Sequence, residues 1–143
     1  MKKRMKKISK KDDYIIIVGC GRLGSHLANL LSVSEKSVVI IDRDEKAFSR
    51  LDTNFSGFTI EADAIELEVL RDARIDQADV FVAVTNDDNT NIMIAQTAKR
   101  IYKIPKVIAR VIEPNKQKIY ENLDIVTICP TILSAEEFKK IIN

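Results

Sequence analysis

The stretch YIIIVGCGRLGSHLANLL, residues 14–31, runs from a β-branched apolar segment through three glycines into leucines spaced along one helical face. Gly19, Gly21 and Gly24 fall within six residues and are three of the four glycines in the chain. A lone G-x-G-x-x-G is weak evidence. One that closes a strand and opens a helix is the fingerprint of a βαβ dinucleotide-binding unit. The glycines then have separate tasks: Gly19 makes the tight turn, Gly21 lets the backbone approach a pyrophosphate, and Gly24 lets the helix pack closely on the strand. N–H groups at the helix start face the phosphates, and the helix dipole adds to the attraction. Arg22 either supplies a further positive charge there or is a solvated first-turn arginine. Leu23, Leu27, Leu30 and Leu31 follow an i, i+4, i+7, i+8 pattern, which predicts a face packed on a sheet.

Similar apolar runs recur along the chain at 14–19, 37–42, 58–63, 80–85, 106–111 and 125–130. Most are continuous rather than alternating, as expected for parallel strands covered on both faces. Helices are predicted after the glycine turn and at about 44–54, 65–74, 89–103, 114–121 and 134–142. Strands that alternate with helices need right-handed crossovers and a parallel sheet. The expected fold is a Rossmann-like, doubly wound α/β domain of three layers, with six strands in the order 3-2-1-4-5-6.

Ligands of such sheets bind beyond the carboxyl ends of the strands, which selects further residues. Asp42 ends strand two, 18 residues after Gly24, where a carboxylate accepts hydrogen bonds from ribose hydroxyls and repels a 2′-phosphate. NAD or another adenine nucleotide with a free ribose is therefore expected, although the neighbouring Arg43 argues the other way. Asp63, in EADA, either accepts from an adenine amino group or caps a helix near residue 65. Thr85, Asn86 and Asp87 reach the same edge from strand four, with Asp88 or Asn89 as cap of the next helix.

At 143 residues, 45% of them hydrophobic and 31% charged, the chain has the size and composition of one globular domain. The first eleven residues hold seven of the 23 basic residues and no acidic one, which leaves 16 basic against 21 acidic residues beyond them. A basic, flexible tail over 1–12 is thus expected to precede an acidic domain over 13–143; anionic lipid, nucleic acid and plain solvation all suit such a tail. The apolar run after it is too short for a secretory signal and is preceded by Asp12 and Asp13, so a cytoplasmic protein is expected. Cys20 and Cys129 lack metal-binding spacing and fit reduced structural thiols. No nucleophile elbow and no metal-ligand cluster stands in the sequence, and its single histidine, His26, falls in the first helix. Binding machinery is present without evident catalytic machinery. The alternatives are an NAD-dependent oxidoreductase subunit completed by another chain and a redox-sensing nucleic-acid binder that uses the basic tail.

Together, IVGCGRLG (17–24), IIDRD (40–44), EADA (61–64), AVTNDDNTN (83–91) and VIARV (107–111) closely resemble the nucleotide-binding half of the TrkA family. This is the TrkA-N, KTN or RCK domain that regulates bacterial potassium uptake systems and channels, and the likeness runs from Tyr14 to Pro130. The resemblance implies a cytosolic, non-enzymatic module that binds NAD(H), ATP, ADP or AMP. It also implies a homodimer or ring beneath a membrane-embedded potassium transporter or channel subunit, whose ion flux ligand-dependent changes in assembly alter. By position, Gly19, Cys20, Gly21, Arg22, Leu23 and Gly24 surround the phosphates, and Asp42 with Arg43 beside it holds the ribose. Ala62, Asp63 and Ala64 lie near the adenine, Thr85, Asn86 and Asp87 line the distal cleft, and Arg110 faces the phosphates or the partner.

Three departures stand out: Ala62 replaces a glycine usual in the family, Thr131 replaces an acidic residue after the last strand, and the expected domain organisation has no TrkA-C domain. A separate TrkA-C-containing chain is therefore an expected partner, and nucleic acid is not. Ser134 and Glu137 have the spacing of a capping box for a last helix over 134–142. Ile132, Leu133, Phe138, Ile141 and Ile142 would be its apolar surface, facing either its own sheet or, as the resemblance implies, a partner subunit.

Overall fold

A computed structural model describes residues 14–143, so the expected basic tail lies outside the described residues. Six parallel strands form one sheet in the order β3-β2-β1-β4-β5-β6. They are β1 (Tyr14–Val18), β2 (Ser37–Asp42), β3 (Phe58–Glu61), β4 (Val80–Ala83), β5 (Lys106–Arg110) and β6 (Val126–Ile128). The doubly wound order expected from the sequence is the one observed. Central β1 pairs Ile17 with Ile40 of β2 on one side and with Val82 of β4 on the other. Alternate residues feed two cores: Ile16, Val18, Ile41 and Phe81 face one side, Ile15, Ile17, Ile40 and Val82 the other.

The ladders stop one or two residues short of most predicted strand ends, because the chain turns out into the carboxyl edge there. Gly19 N–H still donates to Ile41 O (2.8 Å), Val84 N–H to Val18 O (2.8 Å) and Ala62 N–H to Asp42 O (3.1 Å). These last rungs aim the loops that follow.

The helices are α1 (Arg22–Val33), α2 (Leu67–Asp72), α3 (Asp88–Gln96), α4 (Pro114–Tyr120) and α5 (Pro130–Ile142). The predicted helix over 44–54 is only a 3₁₀ segment, Glu45–Arg50, begun by Asp44, whose carboxylate accepts from Lys46 N–H (3.0 Å). The predicted helix over 65–74 shrinks to α2, and Arg74 leaves it in the left-handed region at φ 59°. Past Gln96, the helix expected to reach 103 widens into a π turn, Thr97–Ile101.

Only half of the expected leucine face of α1 packs on the sheet. Ala28, Gly24 and Ser25 are the buried residues, Leu27 and Leu31 pack against the core beside them, and Leu23 and Leu30 are exposed. Close packing of the small residues rotates α1 so that the leucines flank the contact rather than make it. The last helix also starts earlier than expected, with Pro130 at its first position, where a missing N–H costs nothing. Ser134 is consequently interior and no capping box forms; Glu137 instead pairs with Lys140 at 3.1 Å. No residue of α5 is buried, and Phe138, Ile141 and Ile142 are 67%, 83% and 78% exposed. The helix therefore does not cover its own sheet.

Candidate functional site

The loops after β1, β2, β3 and β4 and the last residue of β5, Arg110, converge on a cleft of about 530 Å³ at the carboxyl edge of the sheet. Its floor is the glycine turn. Gly19 has φ +112°, and a Cβ there would lie 2.6 Å from Val84 O; a Cβ on Gly24 would lie 1.8 Å from Gly19 O. Around Gly21 a Cβ would meet nothing within 4 Å, so this glycine keeps open space above the turn. Cys20 and Gly21 line the cleft, whereas Arg22, Leu23 and Gly24 form the first turn of α1 outside its lining, with the Arg22 and Leu23 side chains exposed. What these three present toward the floor is backbone N–H, since the first donors of a helix have no partner within it.

Asp42 ends β2 against the turn. One carboxylate oxygen accepts from Cys20 N–H and the other from Asp44 N–H, both at 2.8 Å, so the acidic residue and the glycine loop hold one another in place. Arg50 reaches back from the 3₁₀ segment, its guanidinium donating to Cys20 O at 3.5 Å. Sequence reading missed Arg50, which stands among polar residues with nothing to mark it. Arg43 lies 3.9 Å from Asp63 across the cleft wall, beside Ala62 and Ala64. Asp63 accepts from Ile65 N–H (3.1 Å) and shapes the turn before α2; the helix cap itself is Glu66, so the expected cap role is not its own.

The distal wall is Thr85, Asn86 and Asp87. Asp87, rather than Asp88 or Asn89, caps α3: it accepts from Thr90 N–H (3.1 Å) and from the Thr90 hydroxyl (2.5 Å). Those hydrogen bonds hold its carboxyl below the usual range. Arg110 donates from one terminal nitrogen to the carbonyls of Val84 (2.9 Å) and Thr85 (2.7 Å), leaving its Nε buried without a partner. Burial lowers its pKa and the charge of Asp88 opposes that shift.

Asn91 was not singled out by sequence. Fully buried, Asn91 accepts from the N–H (2.9 Å) and hydroxyl (2.6 Å) of Thr85 and donates to the carbonyls of Thr85 and Arg110 (both 3.0 Å). The signal available was its polar side chain on a helix that had to pack against a sheet.

Chemically the cleft offers three guanidinium groups, backbone donors and several carboxylates. Among the described residues no histidine, lysine or tyrosine lines it, and no group of three His, Cys, Asp or Glu side chains is placed to hold a metal ion. His26 is exposed on α1. Tyr102 and Lys106 have the Tyr-x-x-x-Lys spacing of some dehydrogenases, but Pro105 separates them and they flank the start of β5, at the opposite edge of the sheet.

Cys20 is wholly buried beneath the turn, its thiol 3.4 Å from Ala47 O, and burial with the nearby Asp42 charge pushes its pKa up to about 11. A raised thiol pKa favours the protonated native state, so its contribution to stability is complete below the unfolded value of about 8.5 and fades as pH rises toward 11. We expect iodoacetamide to modify neither cysteine of the folded protein at pH 7.5 and both after denaturation, as read by mass spectrometry. The melting temperature should fall between pH 9 and 11, and less so for Cys20→Ala.

Fold and cleft together define a doubly wound α/β module with an open, charged cleft at the carboxyl edge and its glycine turn as floor. Among the described residues no helix is long and apolar enough to cross a membrane. The chain belongs to the TrkA-N domain family, which it matches over residues 15–130.

It is 36% identical over 124 residues to the Trk system potassium uptake protein TrkA of Streptomyces coelicolor, covering 87% of this chain and 56% of that protein. To the TrkA homolog of Pyrococcus horikoshii it is 33% identical over 125 residues, covering 87% and 55%. The chain thus spans about half the length of these relatives. Among solved structures, the TrkA-N domain of the Escherichia coli inner membrane protein ybaL shares the fold with a TM-score of 0.81 at 17% identity, over 92% of this chain and 97% of that one. The GsuK channel bound to NAD gives 0.77 at 24% identity (91% and 23%). The Kef C-terminal domain of Shewanella denitrificans in its AMP-bound form gives 0.75 at 24% (91% and 82%).

Proposed function

We propose that this chain is an adenine-nucleotide-sensing module of a potassium-transport system, and not an enzyme. The carrying observation is the open space over Gly21, set between the α1 N–H groups, Asp42 and the arginines of the cleft. A diphosphate lies over Gly19–Gly21 and meets the first N–H groups of α1 at Arg22–Gly24, with the exposed Arg22 and half-buried Arg110 supplying positive charge. The ribose faces Asp42 and Arg43, the adenine faces Ala62, Asp63 and Ala64, and Thr85, Asn86 and Asp87 close the far end. Structures of this fold that carry NAD and AMP support a site that accepts several adenine nucleotides. Similarity to potassium uptake proteins supports a membrane-embedded transporter or channel subunit as the partner, at the cytoplasmic face. The exposed apolar residues of α5 serve assembly into a dimer or ring, and a separate chain carrying a TrkA-C domain is a further candidate partner.

The test is calorimetric titration with NADH, NAD, ATP, ADP and AMP, with light scattering on each complex. Several nucleotides should bind and the size of the assembly should depend on which is present. Asp42→Ala should weaken every one by roughly 1–3 kcal/mol, through loss of charge-assisted hydrogen bonds to the ribose and of the anchor on Cys20 N–H. Unchanged affinity across the series would remove Asp42 from the site, and binding of NAD(H) alone with no change in size would favour an oxidoreductase subunit.

A further inference from the structure

We infer that Asp88 is a positioning residue that couples the cleft to the base of α5; this rests on reading the cleft as a nucleotide site. Asp88 is the first residue of α3 and is 6% exposed, yet α3 is capped by its neighbour Asp87. Both oxygens of Asp88 are instead taken by the chain that follows β5: Ile112 N–H donates to one (2.6 Å) and Glu113 N–H to the other (3.0 Å). A carboxylate gripped by two consecutive backbone donors transmits displacement in either direction, because lengthening either bond leaves an oxygen of the buried Asp88 carboxylate without its partner.

On one side of Asp88 lies the cleft wall, Thr85 to Asp87, pinned by Asn91 and Arg110. On the other side the chain passes directly to the last strand and helix. Val111 N–H donates to Ile128 O (2.9 Å), the Cys129 thiol faces Ile112 O (3.9 Å), and Cys129 is the N-cap of α5, its carbonyl accepting from Leu133 N–H (3.1 Å). Asp88 is thus the side chain through which the distal cleft wall grips the segment carrying α5. A ligand that shifts residues 85–87 shifts Ile112 and Glu113 with them, and the start of α5 follows.

Hydrogen exchange with and without ADP, on the full chain, tests this in the wild type and in Asp88→Asn, with calorimetry on both. In the wild type, ADP should slow exchange at residues 85–91, at Ile112 and Glu113 and over 130–134 by about fivefold or more. Asp88→Asn should bind ADP within about threefold of wild type and keep the protection at 85–91, while the effect of ADP at 112–113 and 130–134 falls below about twofold. The wild-type arm needs no variant to fold: ADP binding with exchange unchanged at 112–113 and 130–134 overturns the coupling and leaves the nucleotide reading standing. Retention of the full wild-type response in Asp88→Asn overturns the role of Asp88. No ADP binding to the wild type overturns the nucleotide reading, and this inference with it.

Discussion

Gly24→Ala should destabilise the domain by roughly 3 kcal/mol or more and lower its melting temperature by about 10 °C, because the added carbon has no direction in which to yield. It would lie 1.8 Å from Gly19 O and 3.2 Å from a Val84 methyl group. The obstructing atom is backbone, held by the same turn that carries φ +112° at Gly19, so α1 must lift from β1 and β4. Against a total stability of about 5–15 kcal/mol for domains of this kind, that is a large fraction. Gly21→Ala is the informative partner. A Cβ there meets nothing within 4 Å, and the backbone at φ −80°, ψ −158° is open to other residues. Stability should stay within about 1 kcal/mol of wild type, the residual cost being that alanine is a poorer helix cap than glycine. Nucleotide affinity should nonetheless fall, since the methyl group projects into the space the phosphates need. Thermal unfolding and ADP titration on the two variants separate the packing glycine from the binding one; equal melting temperatures would refute the distinction.

The sheet order was legible because parallel strands buried on both faces must be apolar, as the central runs of β1, β2 and β4 are, while the edge strands β3 and β6 are largely exposed and were marked mainly by their place in the alternation. The glycine turn and Asp42 were legible for a similar reason: few residues satisfy a left-handed turn, a close helix approach and a carboxylate at the edge. Harder to read were features set by competition between neighbours. Asp87 and Asp88 are adjacent acids before a helix, and propensity cannot say which one caps it when the other is drawn into the core by two N–H groups from a distant loop. Ser134 and Glu137 satisfy a capping spacing that Pro130 pre-empts by starting the helix four residues earlier. Leu23 and Leu30 fit the helical period, yet close packing at Gly24 and Ala28 turns them outward. In each case the local pattern was genuine and a competing residue, near in sequence or brought near by the fold, overrode it.

Asn91→Ala should cost about 3 kcal/mol or more, the largest effect expected of any polar substitution around the cleft. The side chain makes four hydrogen bonds with no exposure to water, and three of them go to Thr85. Removing it takes the acceptor from the Thr85 N–H and a donor from the Arg110 carbonyl, at the point where β4 and β5 both end. The loss should not be confined to stability. Thr85 lines the cleft, and its carbonyl also receives the Arg110 guanidinium at 2.7 Å, so a loosened Thr85 releases the arginine that stands closest to the distal wall. Nucleotide affinity should therefore fall in Asn91→Ala even though Asn91 does not itself line the cleft. Asn91→Asp separates the two functions of the amide: it keeps the acceptor for Thr85 N–H and hydroxyl but sets a carboxylate against two carbonyl oxygens. If the donors to Thr85 O and Arg110 O matter, the aspartate variant unfolds at least as readily as the alanine one. If only the acceptor matters, it recovers most of the stability, and calorimetry on the folded variant then shows whether Arg110 has kept its place.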